Sequence, residues 1–354
     1  MKIEIRPEWL LKQANGLAVS LPLLLRLLTA IRDLGSINQA AARLGLSYRH
    51  AWGLLKEFDK QFGAALVQKV RGRGTQLSPL AEKLIWADKR IEARLSPFLE
   101  SLASELEREL AVLLSRDISA LRITATHGFA VDALMKQLGA NDISVDLQYR
   151  NSTEAVAALA RGECDMAGFH LPEGEFRQAA AAQYLKWLNP KRHTLIHLAF
   201  RRQGLFVAKG NAKSILSLAD LTREGVRFVN RQNGSGTRML LELFLQAQGI
   251  RTSDINGYES AEFTHAAVAA YVASGMADAA FGVETAARRF DLDFIPVARE
   301  QYFFAVDSAH LNDSALALAV TLMRSDEFRK SIDALAGYDG TRSGALVDMA
   351  VFGN

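Results

Sequence analysis

The sequence predicts a mainly α-helical winged helix-turn-helix domain with a long helix, followed by an α/β domain made of two lobes. Helical patterns between residues 20 and 62, with a short hairpin after them, indicate the first domain. A β-α-β-α-β pattern after residue 120 indicates a parallel sheet in the second. At 354 residues the chain has room for two or three domains, and we expect them to cover 1–78, 79–117 and 118–354.

Local signals mark the ends of the first helices. Gly35 stops the first helix, while Ser36 and Ser47 are suitable N-caps for the next two. The turn between the second and third helices is only about three residues long, as in a helix-turn-helix. The predicted helices cover 20–34, 37–44 and 48–62. Two short strands around a Gly/Arg turn at 71–74 then form the predicted wing.

A fourth helix is predicted from about residue 80 to residue 114, capped by Ser78-Pro79. Its apolar residues recur at steps of three, four or seven: Leu84, Ile91, Leu95, Phe98, Leu102, Leu106, Leu110 and Leu113. This stripe is too long to be buried by the small wing domain. We therefore favour a dimer seam over packing against the same chain, and expect a homodimer or a dimer of dimers.

The remaining chain alternates strands and helices. The predicted strands of the first lobe are 121–125, 143–149 and 165–170. A crossing strand near 203–208 opens the second lobe, whose strands are 226–230 and 279–283, and segments 294–297 and 302–306 return the chain. Two lobes joined by two crossing strands enclose a cleft, where ligands of open α/β sheets bind.

Composition narrows the function classes. Hydrophobic residues make up 49% and charged residues 23%, which is typical of a soluble globular protein. The single cysteine, Cys164, excludes an intramolecular disulfide and a CxxC zinc site, and we expect a packed thiol. No secretory signal or membrane-spanning run is visible, so we expect a cytoplasmic protein. The spacing of the histidines does not fit a metal site. No acid–base pair or nucleophile–base set can be assembled from the sequence, so we expect neither an enzyme nor a cofactor.

Charge is distributed unevenly. Residues 20–94 hold 13 Lys/Arg against 6 Asp/Glu, whereas residues 119–354 hold 24 against 26. A basic N-terminal block joined to a nearly neutral remainder indicates that the first part contacts a polyanion and the second does something else.

The segment 35–84 resembles the winged helix-turn-helix of ModE-type molybdate-responsive regulators and, more distantly, of LysR-type regulators. The resemblance is carried by Gly35-Ser36-Ile37, Gln39-Ala40-Ala41, Gly45-Leu46-Ser47-Tyr48-Arg49, Ala51-Trp52 and the wing Arg71-Gly72-Arg73-Gly74. It implies binding of double-stranded operator DNA. This wing is shorter and richer in arginine than the family's glycine-rich wing.

The third helix would enter the major groove with its N-terminal side chains toward the base edges. Arg49 could bind a guanine bidentately, whereas lysines and wing arginines would meet phosphates. We expect Trp52 to be mainly a core residue. The predicted DNA-binding residues are Ser36, Gln39, Ser47, Tyr48, Arg49, His50, Lys56, Arg71 and Arg73.

The segment 119–354 resembles periplasmic-binding-protein-like (type II) sensor domains related to molybdate and tungstate transport proteins. The resemblance rests on Thr126-His127, on Asn151-Ser152-Thr153 and on the loop Arg231–Arg238, whose R-x-x-x-S-G-T pattern is similar to oxyanion-binding transport proteins. It implies a sensor for molybdate or tungstate.

Elementary chemistry agrees, because hydroxyls and backbone N–H groups at strand-to-helix turns suit an oxyanion that offers only acceptors. Arg231 could add a charge-assisted pair. The predicted ligand-binding residues are Thr126, His127, Asn151, Ser152, Thr153, Arg231, Ser235, Gly236, Thr237, Thr264 and His265.

Glu284 would repel a bare oxyanion unless it is neutralised or turned away, and it could instead orient Arg231. Tyr302 is a further weak candidate. Two alternatives therefore stay open beside the oxyanion-sensing regulator. One is a regulator that senses an organic ligand, such as a molybdopterin-type cofactor or an acidic metabolite. The other is an oxyanion storage or delivery protein.

Overall fold

A computed structural model describes residues 3–12, 18–70, 74–113 and 120–352. The chain forms two compact units, one of residues 6–92 and one of residues 1–5 with 93–354. The division falls inside the long helix predicted from residue 80.

The unit of residues 6–92 is built mainly from helices around a leucine-rich core. Its elements are β1 (Leu10–Lys12), β2 (Ala18–Ser20), α1 (Pro22–Leu34), α2 (Ile37–Arg43), α3 (Tyr48–Phe62), β3 (Val67–Val70), β4 (Gly74–Leu77) and the start of α4 (Pro79–Leu113). The core includes Leu24, Leu28, Ile31, Leu55 and Phe58, all without exposed surface.

The predicted caps form as expected. Gly35 ends α1 in the left-handed conformation, at φ +64°. Ser36 accepts from the N–H of Gln39, and Ser47 from that of His50, so each caps the helix that follows it. Strands β3 and β4 pair antiparallel as the wing, while Arg71 and Arg73 at its turn lie outside the described residues.

Much of the apolar stripe of α4 is uncovered. Phe98 is 64% exposed and Leu113 is 77% exposed, and Leu95, Leu102 and Leu106 are also exposed.

The second half of α4 belongs to the other unit. That unit continues with β5 (Leu121–Ala125), α5 (Phe129–Ala140), β6 (Val145–Tyr149), α6 (Ser152–Ala160), β7 (Met166–Pro172), α7 (Arg177–Tyr184), β8 (His193–Val207), β9 (Phe228–Arg231), α8 (Gly236–Ala247), β10 (Ala261–Glu262), α9 (His265–Ala273), β11 (Ala279–Val283), α10 (Glu284–Arg289), β12 (Asp293–Asp307), α11 (Ser314–Arg324), α12 (Asp326–Asp333), β13 (Tyr338–Asp339) and β14 (Leu346–Val347).

One sheet runs through both lobes in the order β10-β9-β11-β8-β12-β7-β5-β6. Strands β5, β6 and β7 are parallel in lobe one, as are β9, β10 and β11 in lobe two. The 15-residue strands β8 and β12 pair antiparallel along their whole length and belong to both lobes. Apolar side chains of both lobes make up the largest buried cluster. The predicted fold class is thus confirmed.

The predicted boundaries of the two crossing strands were wrong. The crossing strand predicted near 203–208 begins ten residues earlier, at His193. The segments 294–297 and 302–306 are one strand, β12, whose register with β8 shifts between Pro296 and Ala298 and between Tyr302 and Phe303. A long strand with two bulges looks like two short strands in sequence, because each bulge reverses the alternation of faces.

Within the described residues, no helix has both the length and the apolarity needed to cross a bilayer.

Candidate functional site

The strand-to-helix turns of the two lobes face each other across the cleft. A Cβ placed on Gly234 of lobe two would lie 3.0 Å from Asn151 Nδ2 of lobe one, and one on Gly236 would lie 3.5 Å from His170 Cβ. Ser152 Oγ lies 3.5 Å from His170 Nδ1. The start of α8 therefore lies directly against the start of α6 and the middle of β7.

At the amino ends of α6 and α8, side chains form hydrogen bonds that cap the helices. Asn151 forms a capping box with Glu154, and Ser235 accepts from the N–H of Arg238. The hydroxyl of Thr237 accepts from Gln203 Nε2 at 3.0 Å. Each hydroxyl still has its own proton to donate, so this corner of the cleft is rich in donors.

Arg231 is a buried cation at the end of β9. Its side chain is 4% exposed, and Nη2 donates to the carbonyl of Phe263 at 2.8 Å. Across the described ranges, no carboxylate lies within 4 Å of this guanidinium, and its Nε has no hydrogen-bond partner. Burial, together with the nearby Arg201 cation, lowers the pKa of Arg231 to about 9. Glu300, which pairs directly with Arg201, opposes this lowering of the pKa only from a longer distance. A buried charge without a direct ion-pair partner costs several kcal/mol.

Three histidines surround this cation. Burial lowers the pKa of His127 to about 4 and holds the pKa values of His170 and His265 well below their ordinary range, with Arg201 and Arg231 adding to the effect on the last two. They are therefore neutral near pH 7. In the part of the chain that the structure describes, the cleft also gathers buried polar atoms without a hydrogen-bond partner: Thr126 Oγ1, His170 Nε2, His265 Nδ1 and Tyr302 Oη.

The crossing strands add a network that sequence reasoning missed. Arg201 on β8 and Glu300 on β12 are opposite each other in register and form a buried ion pair through Arg201 Nε. Gln203 donates to Glu300 at 2.8 Å and to Thr237 at 3.0 Å, which links the pair to α8. These residues are far apart in sequence, and only the strand register brings them together.

Two predicted ligand residues are placed differently from the rest. Thr264 is fully buried, but its hydroxyl already accepts from the N–H of Ala267 and donates to the carbonyl of Ala93. Because both roles of the hydroxyl are used, it has no proton left for a ligand. The side chain of Thr153 is exposed on α6 rather than buried in the cleft.

Glu284 does not orient Arg231. Its carboxylate lies 2.7 Å from Arg202 Nη2 and 3.2 Å from Arg288 Nη2, so two other cations neutralise it. Tyr302, predicted only weakly, packs edge-on against His170 with the ring centroids 4.3 Å apart. Gly168 is what admits this ring, since a Cβ there would lie 2.0 Å from the tyrosine hydroxyl.

A second candidate surface lies on α3. Gln39 on α2 and Ser47, Tyr48, Arg49 and His50 at the start of α3 are exposed. Trp52 is only half-buried, and it stacks parallel to Tyr48 with the ring centroids 6.5 Å apart. The ammonium groups of Lys56 and Lys69 lie 5.0 and 5.8 Å from the Trp52 ring. This exposed, cationic and aromatic face suits a polyanion.

Other predicted features are less specific. Lys56 also lies 3.2 Å from Asp59, and Cys164 is buried with its pKa raised by burial to about 11. Among the described residues, no group of three or more His, Cys, Asp or Glu side chains could hold a metal ion.

Comparisons with known proteins agree with this architecture. A PBP superfamily domain matches residues 132–324, more than half of the chain. The bacterial regulatory helix-turn-helix protein model of the lysR family matches residues 23–82. The fold and its two candidate sites define a protein with a helix-turn-helix domain and a two-lobed PBP-like domain. The chain belongs to the PBP superfamily, and its residues 23–82 are similar to the helix-turn-helix of the lysR family.

Several curated relatives are similar to this chain. The uncharacterized protein YvgK of Bacillus subtilis is 33% identical over 200 residues, 56% of this chain and 64% of YvgK. The molybdenum-pterin-binding protein MopB of Rhodobacter capsulatus is 34% identical over 150 residues, 40% of this chain and 54% of MopB. The molybdenum transport protein ModE of Herbaspirillum seropedicae is 32% identical over 139 residues, 38% of this chain and 51% of ModE. The chain thus spans between half and two thirds of the length of each of these relatives.

Proposed function

We propose that the chain is a DNA-binding transcriptional regulator that senses a tetrahedral oxyanion, molybdate or tungstate, in the cleft between the lobes, and that binding changes its affinity for operator DNA. The observation that carries this proposal is the buried guanidinium of Arg231, which has no carboxylate partner among the described residues. A bound oxyanion would compensate that charge through charge-assisted hydrogen bonds.

The surrounding groups support an anion that only accepts hydrogen bonds. Neutral histidines, hydroxyls and the amino ends of α6 and α8 all offer donors. Among the nearby carboxylates, Glu300 is neutralised by Arg201, whereas Glu100 and Asp132 lie beside His127. The names of two relatives, MopB and ModE, refer to molybdenum, which favours molybdate over sulfate.

The ligand can act only if it prefers one arrangement of the lobes. Because Gly234 and Gly236 lie against lobe one, an anion held by the start of α8 and by Arg231 would favour closure. The affinity for DNA then depends on whether the cleft is open or closed.

Calorimetry on the full chain tests the proposal, with molybdate, tungstate, sulfate and phosphate as titrants. We expect binding of molybdate or tungstate and at least about tenfold weaker binding in Arg231→Met, since a hydrogen bond to a charged group contributes roughly 1.5–3 kcal/mol. Arg251→Met is the matched control, because Arg251 is exposed and pairs with Asp254. An absence of binding by all four anions would overturn the proposal.

A larger organic anion, such as a molybdopterin-type cofactor, is the second candidate, and the name of MopB favours it. Tight binding of that cofactor with weak binding of the free oxyanions would identify it. A storage or delivery protein would instead bind oxyanion without any effect on DNA affinity.

We also propose that the uncovered stripe of α4 pairs with a second copy, giving a homodimer or a dimer of dimers. Burying Phe98 and Leu102 against a partner would remove apolar surface from water, at roughly 25 cal/mol per Å². Sedimentation of Phe98→Glu should show a smaller assembly than that of the wild type. An unchanged mass would exclude this seam.

A further inference from the structure

The long helix α4 contains a proline at a point where it contacts lobe two. Pro97 lies inside the helix, and because proline has no N–H, the carbonyl of Ala93 loses its helical donor. Thr264 Oγ1 donates to that carbonyl at 2.8 Å. The backbone acceptor that the proline orphans is therefore satisfied by the residue that caps α9, beside the cleft. Arg94 adds an ion pair with Glu262, at 3.5 Å.

One turn further on, the same helix is attached to lobe one. The N–H of Tyr149 donates to Ser101 Oγ at 3.2 Å, and that of Leu147 donates to Ser104 Oγ at 2.9 Å. These N–H groups lie on β6, which is the edge strand of the sheet within the described residues. Arg108 pairs with Asp146 of the same strand at 2.6 Å. The helix thus takes the place of a neighbouring strand.

Residues 93–108 of α4 therefore bridge the two lobes. The hydrogen bond from lobe two, donated by Thr264, is made where Pro97 interrupts the backbone hydrogen bonds of the helix. The hydrogen bonds from lobe one, to Ser101 and Ser104, are made where the backbone hydrogen bonds of the helix continue. Such an interruption is where helices bend most easily. Thr264 also stands next to His265, a buried cleft residue whose pKa is lowered by burial and by the Arg231 cation. Any rotation of lobe two relative to lobe one must stretch or break the bond from Thr264 to Ala93, or bend the helix.

We propose that the contact between Thr264 and the Pro97 site of α4 transmits the closure of the lobes to the helix that continues into the DNA-binding unit. Thr264 is a positioning residue in this relay and not a ligand-binding one. The inference rests on the proposed function, because it requires an effector that closes the cleft.

Two variants of the full chain test it. Pro97→Ala restores a donor to the carbonyl of Ala93, so the helix no longer needs Thr264, whereas Thr264→Ser keeps both bonds of the hydroxyl. Glu105→Ala, at an exposed position of α4, controls for a general change in helicity. Each protein is measured for molybdate affinity by calorimetry and for affinity to a selected DNA duplex with and without molybdate.

In the wild type, Glu105→Ala and Thr264→Ser, molybdate should change DNA affinity by about 5- to 150-fold, the usual range for coupled sites. In Pro97→Ala the molybdate affinity should stay within about threefold, while the change in DNA affinity falls below about twofold. A structural role alone would not separate these two readouts.

The outcomes distinguish the two proposals. If molybdate binds and Pro97→Ala retains the full change in DNA affinity, or if the wild type shows no change, the relay is overturned and the anion site stands. If the wild type binds no oxyanion, calorimetry overturns the proposed function, and the relay falls with it.

Discussion

Arg201 and Glu300 face each other across the two strands that join the lobes, and both side chains are almost completely buried. An ion pair at this depth needs both members, since removal of one leaves an uncompensated charge. It lies between the two register shifts of β12, at the part of the sheet shared by the lobes. The ion pair therefore couples the electrostatics of the cleft to the two strands about which the lobes would rotate.

Glu300→Gln should lower the free energy of unfolding by about 3 kcal/mol, the low end for breaking a buried pair. The variant leaves one more net positive charge in the cleft, so molybdate should restore more stability to it than to the wild type. Urea unfolding with and without molybdate measures both effects. Glu327→Gln, an exposed position, is the control. Equal stabilisation of the variant and the wild type by molybdate would contradict this account.

Gly234→Ala should weaken effector binding, because a Cβ there would lie 3.0 Å from Asn151 Nδ2 of the opposite lobe. Gly210→Ala is a matched control: Gly210 has nearly the same positive φ but nothing within 4 Å of its Cβ position. Both variants should lose about 1 kcal/mol of stability from backbone strain. Only Gly234→Ala should lose affinity for molybdate in calorimetry, and a similar loss in Gly210→Ala would show that strain alone is responsible.

The buried histidines predict a pH dependence. The folded pKa of His127, about 4, is below its unfolded value of 6.5, so the neutral form is favoured in the folded protein. Its contribution to stability is present above pH 6.5 and is lost as pH falls toward 4. A bound dianion favours protonation and opposes the effect of Arg231, so effector binding should take up protons increasingly as pH falls from neutral toward the free-protein pKa of about 4. Glu100 and Asp132 also face His127 and share in this titration.

Calorimetry in buffers of different ionisation enthalpy measures that proton uptake between about pH 7 and the His127 pKa of about 4. His127→Gln should reduce it, while His310→Gln, at an exposed position paired with Asp313, should leave it unchanged. Proton release on binding would have the wrong sign for this arrangement.

Arg49→Ala and Lys69→Ala should weaken DNA binding in different ways. Arg49 is exposed near the start of α3, where side chains reach base edges, so its loss should cost about 1–3 kcal/mol and relax specificity at one base pair. Lys69, on the wing, should act on phosphate, lowering affinity for all sequences and reducing the salt slope by about one. Fluorescence anisotropy with matched and mismatched duplexes at several salt concentrations separates them. The same profile for both variants would reject the assigned roles.

The first unit was predictable because its signals are local. Gly35 and Ser47 define helix ends through their own backbone conformations, and the range of α3 was predicted to the residue. The start of β8 was missed because polar residues such as His197 and Arg201 interrupt its apolar run while being fully buried in the sheet. No alternation of faces marks such a strand.

Only those residues of the site that come soon after the end of a strand could be predicted from the sequence. Ser235 and Thr237 could be found because they open a helix after a strand. The Arg201–Glu300 pair joins residues 99 positions apart, and no local pattern encodes it. Thr264 shows the opposite failure: a hydroxyl at a helix start looked suited to a ligand, but Pro97 leaves the carbonyl of Ala93 without its helical donor, and that carbonyl accepts a hydrogen bond from Thr264.

The serines that cover β6 also decide how this protein can be divided for biophysical work. A fragment that begins at residue 118 would lack Ser101 and Ser104, leaving the N–H groups of Leu147 and Tyr149 on a bare sheet edge. Bare edges recruit strands from other molecules, so that fragment should precipitate or form mixed aggregates. A fragment that begins near residue 93 is longer, but it keeps Ser101 and Ser104 over the sheet edge and is the one to express.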